Sequence, residues 1–305
     1  MKILILGSTG NLGKQCLELV EKHNLQLSAI TGHTNAQLLA EQGEKFSCKT
    51  VLSSREDILP LIASSDIVVN LLSGLAGIAP SLEALRQNKI LLTANKESII
   101  AEGLTNLIPI DSEHNAIYEI LQSTDKTPSK LILPCSGGPL LNTPLADATL
   151  AKILAHPRWK MGPKVTVESA LLINKGFEIL EAHYLFDFPL DKIEVRIHPE
   201  CQIHGMIEFT DGSNLAYIAE PDMREHIENA LLRALNRELP PRNIAPAKFA
   251  PHDFPTHLPG IDLVLSAFHA GKIREFLTLE ESLMPQFLQE KITLQDFLRK
   301  LTSIE

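Results

Sequence analysis

Apolar and polar positions follow two different rhythms along the chain. Through the first third, short unbroken apolar runs are separated by amphipathic stretches. Residues 3–6 form such a run, suited to a strand buried on both faces of a parallel sheet. Leu12, Cys16, Leu17, Leu19 and Val20 then recur near helical spacing across residues 12–21. Residues 27–30 predict a second strand, 36–42 a helix, 67–72 a strand, 80–87 a helix starting on its proline, and 90–93 another strand. This βαβ rhythm predicts an α/β chain that begins with a doubly wound, Rossmann-like domain.

From Val165 the rhythm changes. A helix is predicted from about 168 to 186, after which Ile193, Val195 and Ile197 alternate with charged residues. Residues 206–209 and 215–218 read as strands flanking Thr210-Asp211-Gly212-Ser213, a good hairpin turn. Alternation with a hairpin predicts an antiparallel sheet, hence a second, α+β domain. Six of the 19 prolines fall between Pro240 and Pro259, a density that predicts an extended linker without regular structure. Residues 261–270, 279–289 and 294–301 return to helical spacing. The expected organisation is therefore 1–122 Rossmann-like, 123–238 α+β, 239–259 linker and 260–305 a small helical domain.

Composition narrows the function. With 305 residues, 44% of them hydrophobic, the chain is long enough for two cores and too apolar for disorder. A formal charge of −9 argues against a general nucleic-acid or anionic-membrane binder. Cys16, Cys48, Cys135 and Cys201 are far apart and form no CxxC pair, which suits reduced thiols in the cytoplasm. The first apolar run is too short for a signal-peptide core, and no run approaches the ~18 residues of a membrane span.

Several short strings could carry chemistry. Gly7-Ser8-Thr9-Gly10-Asn11-Leu12-Gly13 lies between the first strand and first helix, where backbone N–H groups can approach a pyrophosphate. About 20 residues on, where a ribose 2′-hydroxyl usually meets an acid, the chain reads Thr31-Gly32-His33-Thr34-Asn35, which suits a 2′-phosphate and favours NADP over NAD. Asp111-Ser112-Glu113-His114-Asn115 is either a capped helix start or a pair of oxygen ligands for a hard divalent cation. Asn174, Lys175 and Glu178 share one side of a helix, amid bulk that leaves polar groups in need of a partner such as phosphate or metal. Ser136-Gly137-Gly138-Pro139 is a tight strand exit or a phosphate nest. Trp159, the single tryptophan, sits in His156-Pro157-Arg158-Trp159-Lys160-Met161-Gly162 as a core anchor or a lid.

Taken in order, these strings resemble 1-deoxy-D-xylulose 5-phosphate reductoisomerase: GSTGNLG at Gly7, ANKES at Ala94, DSEHNAI at Asp111, SGGP at Ser136, HPRWKMG at His156, NKGFEILEAHYLF at Asn174, IHPECQIHGMIEF at Ile197 and EPDMRE at Glu220. The resemblance implies an NADPH domain, a central catalytic and dimerisation domain and a helical C-terminal domain in a cytoplasmic homodimer. It implies a reaction that converts this phosphosugar to 2-C-methyl-D-erythritol 4-phosphate with NADPH and Mg²⁺ or Mn²⁺. Asp111, Glu113 and Glu178 would hold the metal. Ser136, Ser169, Asn174 and Lys175 would bind the substrate phosphate, and Lys96, Ser112, Glu113, His156, Trp159 and Glu178 would contact the rest of the substrate. Of these, Lys96, Glu113, His156, Lys175 and Glu178 would form the catalytic set. Thr9, Gly10, Asn11, Leu12, Gly32, His33, Asn95, Glu97 and Gly162 would line the NADPH site, Trp159 and Met161 the lid, and His204 would support the pocket.

The chain departs from the family pattern in places. His33 stands where Lys is usual, Glu168 where Asp is usual, and Leu172 and Ile173 replace adjacent methionines. The C-terminal Asn-Glu pair is replaced by Thr278-Leu279-Glu280-Glu281, and the chain is shorter than typical members. Two other readings compete: a phosphorylating semialdehyde dehydrogenase with Cys135 as nucleophile and His204 as base, and a dinucleotide-binding sensor without activity.

Overall fold

Residues 1–54, 56–159 and 161–304 are described by the structure, a computed structural model. The chain opens with β1 (Lys2–Leu6), α1 (Asn11–Lys22), β2 (Gln26–Gly32), α2 (Ala36–Phe46), β3 (Lys49–Leu52), α3 (Pro60–Ala63), β4 (Ile67–Asn70), α4 (Ile78–Arg86), β5 (Ile90–Thr93), α5 (Lys96–Glu102), β6 (Ile108–Pro109) and α6 (Ser112–Leu121). There follow β7 (Pro128–Cys135), α7 (Leu150–Ile153), α8 (Pro163–Ala170), α9 (Ile173–Phe186), β8 (Ile193–Ile197), β9 (Ile203–Phe209), β10 (Asn214–Ile218), α10 (Met223–Ala234), β11 (Ile244–Ala245), α11 (Gly260–His269), α12 (Ile273–Leu288) and α13 (Leu294–Thr302). Spatially the chain falls into two units: Met1–Asn115 with Asp222–Pro241, and Ala116–Pro221 with Arg242–Glu305. The division passes through α6.

In the first unit the strands run parallel in the order β3-β2-β1-β4-β5-β6. The unbroken apolar run of β1 is explained by burial on both faces. Ile3 and Ile5 pack with Cys16, Leu17 and Val20 of α1, while Leu4 and Leu6 pack with Leu61, Ile62 and Ala84. Strand order reverses between β1 and β4, and a doubly wound sheet binds its ligand at the carboxyl ends of strands at such a switch point. Helix α10, which no apolar periodicity in the sequence marks, returns to this unit. Asp222 caps it by accepting from Arg224 N at 2.9 Å. Its Ile227, Ala230 and Leu231 join the α1 cluster, and Glu228 takes Lys22 at 2.6 Å and also His23.

The second unit holds a sheet in the order β11-β10-β9-β7-β8. The hairpin β9–β10 is antiparallel, with Gly212 of its turn at φ +82, as its alternation and turn residues predict. Strands β7 and β8 are instead parallel, pairing Leu131 with Ile193 and Leu133 with Val195, so the sheet is mixed. Alternation reports which face a residue occupies and is silent on strand direction. The parallel pair is allowed because α7, α8 and α9 supply the crossover. Part of the proline-rich segment is also regular: β11 pairs with β10 at the sheet edge, Ala245 opposite Ala216.

The single helix expected over about 168–186 is two. Helix α8 ends at Ala170, Leu172 adopts a left-handed conformation (φ +63), and α9 starts at Ile173. No glycine or proline marks the break. Gly260 clasps it from α11: its N–H donates to Leu171 O at 3.0 Å, and a Cβ there would lie 2.2 Å from both Leu171 O and Ile173 N. Helices α11 and α12 cover α9, with Phe276 edge-on to Phe177 at 6.1 Å. No described helix is long and apolar enough to cross a membrane.

Candidate active site

The first unit offers a dinucleotide cradle at its switch point. The loop after β1 is tied to the end of β2: Ser8 N donates to Thr31 O at 2.8 Å, and Ser8 Oγ to Gln42 Oε1 at 2.8 Å. Gly10 is the N-cap of α1, and among the described residues no side chain caps that end and its first turn holds no acid. Uncapped N–H groups and the positive end of the helix dipole suit a pyrophosphate. Gly13 brings α1 against the loop, since a Cβ there would stand 2.3 Å from Gly7 O. Thr9 and Leu12 are half-buried and Asn11 is exposed. Gly32 sits beside Thr9, while His33 is exposed, with its carbonyl accepting from Ser54 Oγ at 2.9 Å. These residues are the candidates for the diphosphate and adenosine ends of a dinucleotide.

Asn95 and Glu97 occupy a different kind of place. Asn95 caps α5 through Ser98 N, and its Nδ2 donates to Leu72 O (3.1 Å), Gly74 O (2.9 Å) and Glu97 Oε2 (3.0 Å). Glu97 Oε1 accepts from Gly74 N at 3.0 Å. Both side chains brace the loop after β4.

A charged cluster forms where β6 meets α6. Asp111 accepts from Lys96 Nζ at 2.7 Å and from His114 Nδ1 at 2.8 Å. Burial raises the carboxyl of Asp111, but the Lys96 charge and the His114 hydrogen bond outweigh it and hold Asp111 well below the usual carboxylate range. Ser112 Oγ donates to Glu113 Oε2 at 2.5 Å. Carboxylates held ionised are the oxygen donors a hard divalent cation takes.

In the second unit the break between α8 and α9 gathers the phosphate candidates. Ser169 lies in the last turn of α8; Asn174 and Lys175 lie in the first turn of α9, whose N-terminus has no side-chain cap among the described residues. Lys175 and Glu178 are buried together as an ion pair. Lys175 Nζ also donates to Pro134 O at 2.6 Å, and Asn174 Nδ2 donates to Glu178 Oε1 at 2.5 Å. Gly137 and Gly138 take positive φ (80 and 67) after Ser136, turning Gly138 N onto Ser136 Oγ at 3.1 Å.

His156 has a defined tautomer. Its Nδ1 accepts the backbone N–H of Trp159 at 3.0 Å and lies 3.3 Å from Arg158 N, so the proton is on Nε2, which faces Ser136 Oγ at 3.3 Å. Burial pushes its pKa down to about 4, so it is a neutral donor at physiological pH. Trp159 is half-buried and stands edge-on to His204 at 6.2 Å. Met161 is half-buried and Gly162 is the exposed N-cap of α8; Lys160 of the same string lies outside the described residues. Cys135 is 9% exposed and its Sγ accepts from Gly137 N at 3.3 Å.

Known proteins match across these regions. The family model of 1-deoxy-D-xylulose 5-phosphate reductoisomerase matches residues 3–63 and 51–103, and that of the 1-deoxy-D-xylulose 5-phosphate reductoisomerase C-terminal domain matches 107–186. A 1-deoxy-D-xylulose 5-phosphate reductoisomerase of Aquifex aeolicus is 35% identical over an alignment that covers 97% of this chain and 88% of the relative. The solved reductoisomerase from Zymomonas mobilis in complex with NADPH has a TM-score of 0.81 at 27% identity, covering 99% of this chain and 90% of that one. A DOX-P reductoisomerase in complex with NADPH, fosmidomycin and magnesium has a TM-score of 0.80 at 27% identity, covering 100% and 88%.

Proposed function

The chain belongs to the 1-deoxy-D-xylulose 5-phosphate reductoisomerase family, and we infer from this that it converts 1-deoxy-D-xylulose 5-phosphate to 2-C-methyl-D-erythritol 4-phosphate for isoprenoid synthesis, with NADPH and a divalent cation. The observation that carries this is relatedness at 35% identity over 97% of the chain. Asp111, Glu113, Ser136, His156, Lys175 and Glu178 all lie within one matched family segment.

When bound, the cation supplies stabilisation of charge on the oxygens of a substrate whose C–C bond is broken and remade beside a carbonyl, and NADPH supplies the hydride that reduces the aldehyde so formed. Asp111, Glu113 and Glu178 are the proposed cation ligands, an all-carboxylate set without competing thiolates. Lys96 and Lys175 neutralise Asp111 and Glu178, and with the cation bound to those carboxylates would offer their charge to the anionic substrate.

Ser136, Ser169, Asn174 and Lys175 anchor the substrate phosphate around the N-terminus of α9, where backbone N–H groups and the helix dipole add to the lysine charge. That remote binding orients the reacting end. His156 donates its Nε2 proton to a substrate oxygen without adding charge, and Ser112 and Lys96 hold the same end. Trp159 and Met161 exclude water as a lid, with His204 behind the indole. Thr9, Gly10, Asn11, Leu12, Gly32, His33 and Gly162 contact NADPH, while Asn95 and Glu97 shape its pocket through the loop they brace.

The expected division into 1–122, 123–238, 239–259 and 260–305 is proposed as the functional one, in a cytoplasmic homodimer. The enzyme reading is tested by following NADPH oxidation on addition of 1-deoxy-D-xylulose 5-phosphate. Wild type and Cys135→Ser are both expected to oxidise NADPH at comparable rates. Failure of both, or loss of activity in Cys135→Ser alone with chelator-insensitive wild type, overturns it in favour of the sensor or the thiol enzyme.

A further inference from the structure

Asn115 lies wholly buried at the start of α6, and its side chain joins two segments of the first unit. Its Nδ2 donates to Pro109 O at 3.0 Å. A carbonyl can only accept, so the amide is turned with Oδ1 toward α10. There Oδ1 accepts from Asn229 Nδ2 at 3.2 Å and lies 3.2 Å from His226 Nδ1. His226 and Asn229 are one turn apart and both fully buried. Asn115 N also donates to Asp111 O at 2.8 Å, the first turn of the helix.

The consequence is a closed ring from Pro109 to Asn115 that encloses Asp111, Ser112 and Glu113. Their Cα positions are set from the rear by a side chain that touches none of their carboxylate oxygens. Apolar residues at positions 115, 226 and 229 would fill the same core volume without three polar side chains to desolvate and satisfy. The polar choice therefore specifies geometry more than it adds stability. We propose that Asn115 is a positioning residue for the cation: anchored on α10, it holds the turn of Asp111 and Glu113 in the register in which both carboxylates serve one divalent ion. This rests on the reading of those carboxylates as ligands.

The test is Mn²⁺ binding to the full chain, followed by the loss of the free-ion electron paramagnetic resonance signal, beside NADPH binding by fluorescence. Asn115→Leu keeps the volume and removes every side-chain hydrogen bond of residue 115; it is expected to weaken Mn²⁺ about tenfold, as loss of an outer-shell partner does, with NADPH affinity within about twofold. In turnover, the half-saturating metal concentration rises in parallel while kcat at saturating metal falls little, a split that mere loss of stability does not produce. If Asn115→Leu does not fold, Asn229→Leu removes one donor onto Oδ1 and is expected to weaken Mn²⁺ about threefold. Unchanged Mn²⁺ affinity in the folded variant overturns the proposal. Glu113→Gln separates the two claims. If it abolishes Mn²⁺ binding while the Asn115 variant binds normally, the positioning role alone fails; if it binds normally, the ligand reading fails first.

Discussion

Replacing Gly13 with alanine perturbs the cofactor cradle at one atom. The new Cβ would stand 2.3 Å from Gly7 O and 2.5 Å from Ser8 Cα, where contacts under 3.0 Å do not persist. Loop and helix must separate by about 0.7 Å or more. The loop cannot yield easily, because Ser8 N is held on Thr31 O at 2.8 Å and Ser8 O accepts from Gln42 Nε2 at 3.1 Å. The displacement therefore falls on the first turn of α1, whose N–H groups are the proposed pyrophosphate donors. Overpacking of this kind costs about 1–3 kcal/mol, or a melting temperature lower by about 3–10 °C. Mispairing of one or two ligand hydrogen bonds weakens NADPH by about tenfold or more. Fluorescence titration with NADPH, alongside Mn²⁺ binding, whose proposed ligands lie on other elements, reads both effects. NADPH affinity within twofold of wild type in a folded Gly13→Ala variant refutes the placement of the cofactor on this loop.

Two further outcomes follow from local physics. Burial pushes the His156 imidazole down from its ordinary 6.5 to about 4, so between those values the unfolded chain binds the extra proton. The stability this contributes is complete above about pH 6.5 and is lost as pH falls toward about 4. His156→Asn should flatten part of the fall in melting temperature across that window, and an unaltered profile contradicts the assignment of a buried neutral imidazole. Asp187 ends α9 in the left-handed region (φ +48), exposed, with its carboxylate at the negative end of the helix dipole. Asp187→Gly should stabilise by about 0.5–1 kcal/mol with unchanged turnover; a lower melting temperature contradicts it.

Much of the first unit was legible because its signals are local. An apolar run buried on both faces, a glycine loop and an uncapped helix end follow one another within residues 2–22, and β1 and α1 fall where that pattern puts them. The second unit shows where local signals end. The break at Leu172 is imposed by Gly260, almost ninety positions away, and Leu171, Leu172 and Ile173 carry no turn chemistry of their own. Direction of β8 was likewise invisible, since period-two alternation is the same for both orientations. Helix α10 is hidden in the sequence although Asp222 precedes it as a cap, because its buried side includes His226, Glu228 and Asn229 and so blurs the apolar stripe. Charged and polar candidates were recognised by type and spacing, but their partners were not. That Asp111 is held by Lys96 and His114, that His156 is a neutral donor toward Ser136, and that Asn95 and Glu97 brace a loop all depend on tertiary contacts.

The most direct test of the central claim is steady-state turnover of 1-deoxy-D-xylulose 5-phosphate with NADPH, in the presence of Mg²⁺ or Mn²⁺, after EDTA, and after the metal is restored, with Glu178→Gln in parallel. The expected result is 2-C-methyl-D-erythritol 4-phosphate formed mole for mole with NADPH oxidised, activity abolished by EDTA and restored by metal, and a loss of at least about a hundredfold in kcat/KM for Glu178→Gln. No product with metal present, or turnover indifferent to EDTA and to Glu178→Gln, would contradict it.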